Sequence, residues 1–287
     1  MRVVGPAGRN AAPSAGAGVR MQARALPNRR LHLNDGPIDL IIGADGTPAA
    51  IRAAYAAAAA RFATVLDELC AELPLLRRQA AANAVPEGAI ARSMWRAVSR
   101  HRGFITPMAA VAGSVADAVL RAMTDAAALD RAHVNNGGDI ALHLAPGHTY
   151  AIGLVDRPDR PTLLPTRIEA SGGIATSGWR GRSFSRGIAD AVTVLAGDAA
   201  TADAAATVIA NAVDLPGHPA IARRPASDLQ PDSDLGPRLV TTGVGALTPG
   251  EVGIALDRGA DRARALPLVT TVLRLGGQTR VIGRGQG

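Results

Sequence analysis

Residues 134–155 read VNNGGDIALHLAPGHTYAIGLV. Apolar, β-prone pieces are broken by Asn135-Asn136-Gly137-Gly138-Asp139 and again by Pro146-Gly147, residues that turn a chain tightly. The stretch is a strand meander. It sits inside a chain that otherwise alternates strands with long helical runs. Upstream, Leu31 to Ile42 reads as two short strands about the turn Asn34-Asp35-Gly36-Pro37. Thr47-Pro48 then starts a helix, a capping hydroxyl followed by proline in the first turn, and Ala49–Leu73 continues it until Pro74. Further helices are predicted at Leu75–Asn83, Glu87–Arg100 and Met108–Ala127. Downstream, strands at Arg167–Ala170 and Ala191–Leu195 flank a loop rich in glycine and arginine. Asp198–Val213 is strongly helical. A strand near Arg238–Val244, a helix from about Glu251 to Arg264 and a terminal strand complete the pattern. The predicted fold is α+β, with mixed or antiparallel sheets covered by helices, in one domain over residues 31–287.

Composition narrows the function. The 287 residues are 47% hydrophobic and 19% charged, as expected of a globular protein with a sizeable core. Aromatic residues make up only 2%, too few for a base-stacking platform. The formal charge of +7 is concentrated in the first 34 residues, which hold Arg2, Arg9, Arg20, Arg24, Arg29 and Arg30 and no acid. The rest is near neutral, which argues against a nucleic-acid partner. No run of about 18 apolar residues suggests a membrane partner. Every basic residue is arginine, so mechanisms that need a lysine Schiff base or a P-loop lysine are excluded. Cys70, the single cysteine, excludes an internal disulfide framework; its place in the alanine-rich helix reads as a buried thiol. Residues 1–30 read as a disordered tail without a secretory signal's apolar core, with Met21 as an alternative start and a cytoplasmic location expected.

Three segments carry candidate chemistry. In Gly137-Gly138-Asp139 the glycines let a ligand approach the backbone amides while Asp139 offers a carboxylate; the same residues equally make an ordinary hairpin. Between Gly172 and Gly187, hydroxyls and arginines suit a diphosphate, and Trp179 and Phe184 could cover a flat ring; the alternative is a solvated loop. Asp203 and Thr207 are spaced i, i+4 on a helix, so their oxygens share a face suited to magnesium. Otherwise Thr207 bonds back to its own helix and Asp203 is solvated.

In order, Gly137-Gly138-Asp139, Ala175-Thr176-Ser177-Gly178, the strand Ala191–Val194, and Ala202-Asp203 with Thr207 resemble the ApbE-like superfamily. That superfamily includes the FAD:protein FMN transferases. Ala109–Asp117 resembles its glycine-containing helix, and the resemblance spans about Pro107–Val213. It implies an α+β flavin-nucleotide site taking FAD or FMN. Gly137, Gly138, Thr176, Ser177, Gly178, Trp179 and Arg180 are then the expected cofactor contacts, and Asp203 and Thr207 the magnesium ligands. Asp139 and Asp190 are the candidate bases. The partners implied are a flavin nucleotide or other diphosphate and an acceptor or partner protein. Two features depart from the transferases: no His-His-Ile-x-x-Pro segment lies between Trp179 and Asp190, and Ala112 stands where a lysine is expected. The second functional reading is therefore a non-catalytic accessory protein. The remaining candidates read as structure: His143 and His148 as loop or sheet residues, Asp228, Asp232 and Asp234 as a solvated acidic loop, and Arg77-Arg78 as a surface pair.

Overall fold

The computed structural model describes residues 21–81, 83–154, 164–266 and 270–283. The strands are β1 (Gln22–Leu26), β2 (Arg30–Asp35), β3 (Ile38–Asp45), β4 (Arg131–Asn136), β5 (Asp139–Leu144), β6 (Tyr150–Leu154) and β7 (Leu164–Ile168). They continue as β8 (Gly172–Ser177), β9 (Ala191–Ala196), β10 (Ile221–Pro225), β11 (Leu239–Val244), β12 (Thr270–Leu275) and β13 (Gln278–Gly283). The helices are α1 (Pro48–Ala71), α2 (Leu73–Leu76), α3 (Ala89–Ser99), α4 (Val111–Ala126), α5 (Ala199–Ala212), α6 (Ala226–Leu229) and α7 (Pro249–Arg264). Nine strands form one sheet in the order β1-β2-β3-β4-β5-β8-β9-β12-β13, and every described pairing is antiparallel. The pairs β6–β7 and β10–β11 stand apart as small ribbons.

The helices follow the sheet in register. α1 packs on β2 and β3, α4 on β4 and β5, α5 on β8 and β9, and α7 on β12 and β13. Neighbouring helices in that series also touch one another. α1 forms because Thr47 caps Ala50 N at 3.2 Å, Pro48 fits the first turn, and Ile51, Ala54, Ala58, Phe62, Val65 and Leu69 bury one stripe. It is long and apolar enough to span a membrane by length and composition, and here that stripe belongs to the core beneath the sheet. α7 carries a full capping box between Thr248 and Glu251.

The seam between α4 and α5 sets the position of everything that follows. A β-carbon on Gly113 would lie 2.2 Å from the Ala199 carbonyl, and one on Gly173 would lie 2.1 Å from the Ala199 amide. Glycine in α4 and glycine in β8 therefore let both backbones touch the first residue of α5. Asp117 of α4 accepts the Ala199 and Ala200 amides at 3.1 and 2.9 Å, and Asp198 accepts the Thr201 amide at 2.6 Å. These bonds satisfy the orphan donors of the α5 N-terminus. Burial raises the Asp117 pKa to about 6, against the lowering by those two amides.

Several expectations are corrected. The predicted tail of residues 1–30 ends earlier: β1 occupies Gln22–Leu26 and turns through Asn28 and Arg29, both at positive φ, into β2. Residues 1–20 of that tail lie outside the described residues. The helix expected over Leu75–Asn83 shrinks to α2, capped at Arg77. Gly172–Ser177, expected as part of a loop, is the central strand β8. The terminal strand is a hairpin, β12–β13. Cys70 is exposed, because the buried stripe of α1 passes through Leu69 instead.

Candidate functional site

Asp203 and Thr207 lie one turn apart on α5 and face a cavity of about 330 Å³. Asp139, at the first position of β5, enters the same cavity, as does Ser177 from the end of β8. The turn that delivers Asp139 needs its glycines: Gly137 and Gly138 have φ of +65° and +115°, and Gly138 N donates to Asn135 Oδ1 at 2.8 Å. Asp139 Oδ1 accepts the Thr176 amide at 3.2 Å, which ties the turn to β8. Asp203 Oδ2 accepts the Gly113 amide at 3.0 Å, at the α4–α5 seam.

The electrostatics of the two carboxylates follow from this placement. Both have an edge at the cavity but are packed by protein on the remaining sides. For Asp139, burial raises the pKa to about 6, with the Thr176 amide and then the Arg182 guanidinium acting in the opposite direction. For Asp203, burial and then the neighbouring Asp139 charge push the pKa well above the usual carboxylate range, against the Gly113 and Ala112 backbone amides. Two carboxylates that resist joint ionisation in one cavity form an arrangement that a divalent cation relieves. Two carboxylates and a hydroxyl are hard oxygen donors of the kind magnesium takes. Among the described residues no group of three His, Cys, Asp or Glu side chains is placed to hold a metal ion, so a cation here would rest on two carboxylates and a hydroxyl.

Part of the remaining wall comes from the Gly172–Gly187 segment whose arginines and rings the sequence singles out, and part from a segment it does not. Arg182 and Phe184 face the cavity from the loop after β8. The Arg182 guanidinium rests on the glycine turn, where a β-carbon on Gly137 would meet Nη2 at 2.2 Å. Gln230–Leu235, the segment read as a solvated acidic loop, is a strap along the cavity. Arg77 Nη2 donates to Asp232 Oδ2 at 2.9 Å and Thr106 Oγ1 donates to Asp234 Oδ2, so the strap is tied to the chain on both sides of α3.

The remaining candidate residues gather elsewhere. Asp190 accepts Arg180 Nε at 2.8 Å and the Gly276 amide at 2.8 Å, joining the loop to the β12–β13 hairpin. Arg180 lies over the Trp179 ring at 4.5 Å, and Gly178 backs onto the Asp190 carbonyl. Trp179, Arg180 and Asp190 thus form a clasp outside the cavity wall. Thr176 Oγ1 is 2.9 Å from Thr193 Oγ1 on β9, and only its amide serves Asp139. His143 is bonded to the Leu129 carbonyl at 3.2 Å, and no histidine lines the cavity.

A UPF0280 protein of Methanothrix thermoacetophila is 42% identical over 113 residues, covering 38% of this chain and 46% of the relative. A UPF0280 protein of Methanopyrus kandleri is 40% identical over 110 residues, covering 37% and 43%. Each match therefore takes in less than half of the relative's length. The flavin transferase ApbE from Vibrio cholerae aligns over 92% of this chain and 98% of its own, with 13% identity and a TM-score of 0.41. The family model described as "AbpE bacteria" matches residues 22–281, nearly the whole described chain, and the chain belongs to that family.

Proposed function

We propose that the cavity holds the phosphate of a flavin nucleotide, the diphosphate of FAD or the monophosphate of FMN, together with a magnesium ion. One observation carries this reading: Asp139, Asp203 and Thr207, from β5 and α5, converge on a single cavity in which the two carboxylates oppose each other's ionisation. Asp203 and Thr207 would hold the cation, whose contribution is to neutralise charge on the phosphate oxygens. Arg182 supplies a guanidinium for the remaining phosphate charge, and Phe184 an apolar face for a flat ring. The glycine turn, covered at Gly137 by Arg182 and with its Gly138 amide given to Asn135, acts by delivering Asp139 to the cavity.

Asp139 is the group suited to move a proton. Its pKa of about 6 lies close to neutral pH, so its carboxylate is available to accept a proton from an attacking hydroxyl. Asp190, the other base candidate of the sequence, lies outside the cavity and is held by Arg180 and Gly276, while the strap carboxylates Asp232 and Asp234 are engaged by Arg77 and Thr106. The activity that matches these parts is transfer of the flavinyl phosphate to a hydroxyl of an acceptor protein, with AMP as the group released from FAD.

The departures from the transferases favour a second reading specifically: the histidine segment is absent and Ala112 replaces the expected lysine. In that reading the protein binds the nucleotide and assists another enzyme. Incubation with FAD and magnesium, followed by product analysis, separates the two. AMP formation that is lost in Asp139→Asn supports catalysis. Magnesium-dependent FAD binding without turnover supports the accessory role, and absence of FAD binding removes both.

A further inference from the structure

A second cavity, of about 430 Å³, opens on the other side of the Asp117 carboxylate. Its two long walls are helix faces. α3 contributes Arg96 and Arg100, spaced i, i+4, and α4 contributes Arg121, one turn after Asp117. The floor is apolar, with Leu142 of β5 and Leu120 of α4 buried beneath it. Among the described residues these three guanidinium groups make no hydrogen bond and no ion pair.

That lack of partners is informative because carboxylates stand within the same cavity. Both are committed elsewhere: Asp117 holds the Ala199 and Ala200 amides with its two oxygens, and Asp198 holds the Thr201 amide. Elsewhere the fold readily pairs its arginines, as in Arg61–Glu68 at 2.6 Å and Arg131–Asp45 at 2.6 Å. Here three guanidinium groups face one concavity against two carboxylates, Asp117 and Asp198, that bond backbone amides, so positive charge is in excess.

We propose that this cleft is a second ligand site, for a small phosphate monoester. Three forks suit the three peripheral oxygens of a phosphate monoester better than the two of a carboxylate. The volume lies within the range of small-ligand pockets. No Phe, Tyr or Trp lines it, and its one ring, the His143 imidazole, is bonded to the Leu129 carbonyl, whereas Phe184 lines the cavity of Asp203. The apolar floor takes the carbon skeleton of the ligand. The site is independent of the flavin reading, because none of its three arginines faces the Asp139–Asp203 cavity.

Calorimetric titration of the full chain with glucose 6-phosphate, inorganic phosphate and citrate, without magnesium and at low salt, tests the assignment. The expected result is saturable binding of one glucose 6-phosphate per chain, tighter than citrate. Arg96→Gln combined with Arg121→Gln should weaken it at least about tenfold, the scale of a lost charge-assisted contact. Both substitutions lie on exposed helix faces, and circular dichroism would verify folding. Asp203→Asn should bind the ester as wild type does. Equal binding by inorganic phosphate and the ester would leave the floor without a role and overturn the monoester assignment. Absence of saturable binding, unchanged affinity in the folded double variant, or preference for citrate would overturn the site itself.

Discussion

The two cavities flank one seam and have opposite character. On one side of the α4–α5 contact, Asp139 and Asp203 crowd carboxylates into a space of about 330 Å³; on the other, Arg96, Arg100 and Arg121 crowd guanidinium groups around about 430 Å³. Both depend on the same small residues. Gly113 lets α4 touch Ala199, which brings its own amide to Asp203 and carries Asp117, one turn later, to the start of α5. A single backbone contact therefore sets the depth of a cation-seeking site and an anion-seeking site. Close packing of small residues here serves to place charge, and the bulk of the apolar burial lies to either side of it in the cores under α1 and under α7.

The strongest way to break this comparison is to open the seam. Gly113→Ala places a methyl group where the Ala199 carbonyl stands 2.2 Å away, and backbone cannot step aside as a side-chain tip can. We expect destabilisation of about 3 kcal/mol, the upper end for overpacking, measured by chemical denaturation. Both cavities should lose ligand affinity together. Loss at one cavity alone would show that the seam does not govern both.

A second test removes charge from one side only. Asp203→Asn relieves the repulsion with Asp139, so at pH 8 the ligand-free variant should melt above wild type. A carboxyl whose folded pKa is raised favours the folded state at low pH and loses that benefit as pH climbs through the folded pKa. The difference in melting temperature should therefore shrink toward pH 4. A variant that melts lower than wild type across the whole range would contradict the assigned crowding.

Asp117 titrates on the seam itself and sharpens the contrast. Its folded pKa of about 6 exceeds the ordinary 3.8, so the folded state binds the proton more tightly than the unfolded chain. Its contribution to stability is full below about pH 4, falls as pH rises to about 6, and is level above. Asp117→Asn should show a shallower decline through that window in urea denaturation at stepped pH. The residual slope combines Asp139 and Asp203, acting in the same direction, with His101, whose lowered pKa of about 4 acts in the opposite one.

The smallest effect should come from the strap. Arg77 and Asp232 form a solvent-exposed pair at 2.9 Å, so Arg77→Ala should leave melting unchanged within scatter. Flavin-nucleotide affinity should fall by no more than about fivefold, read by fluorescence titration. A collapse of binding would make Arg77 a direct contact.

Much of this was legible in the residues. α1 and α5 were readable because Thr47 and Asp198 cap their first turns, α4 from its run of helix formers, and the β4–β5 meander because Gly137-Gly138 and Pro146-Gly147 are turn chemistry. The order of Asp139, Ser177, Asp203 and Thr207 along the chain also pointed to one site, and all four line one cavity. Other features depend on distant partners. Gly172 and Gly173 read as loop residues, yet they lie in a strand whose glycines admit the α5 backbone. The strap is invisible locally because Asp232 and Asp234 bond to residues 155 and 128 positions away. Asp190 looked poised for chemistry by its neighbourhood, but its second oxygen is taken by the Gly276 amide, 86 residues on.

The central claim, that Asp139, Asp203 and Thr207 form a magnesium-dependent nucleotide site, is tested most directly by calorimetric titration of FAD into wild type and Asp203→Asn, each with and without saturating magnesium. The account predicts that magnesium tightens FAD binding to wild type and that the folded variant binds at least about tenfold more weakly in its presence. Equal affinity in the two proteins at saturating magnesium would contradict it.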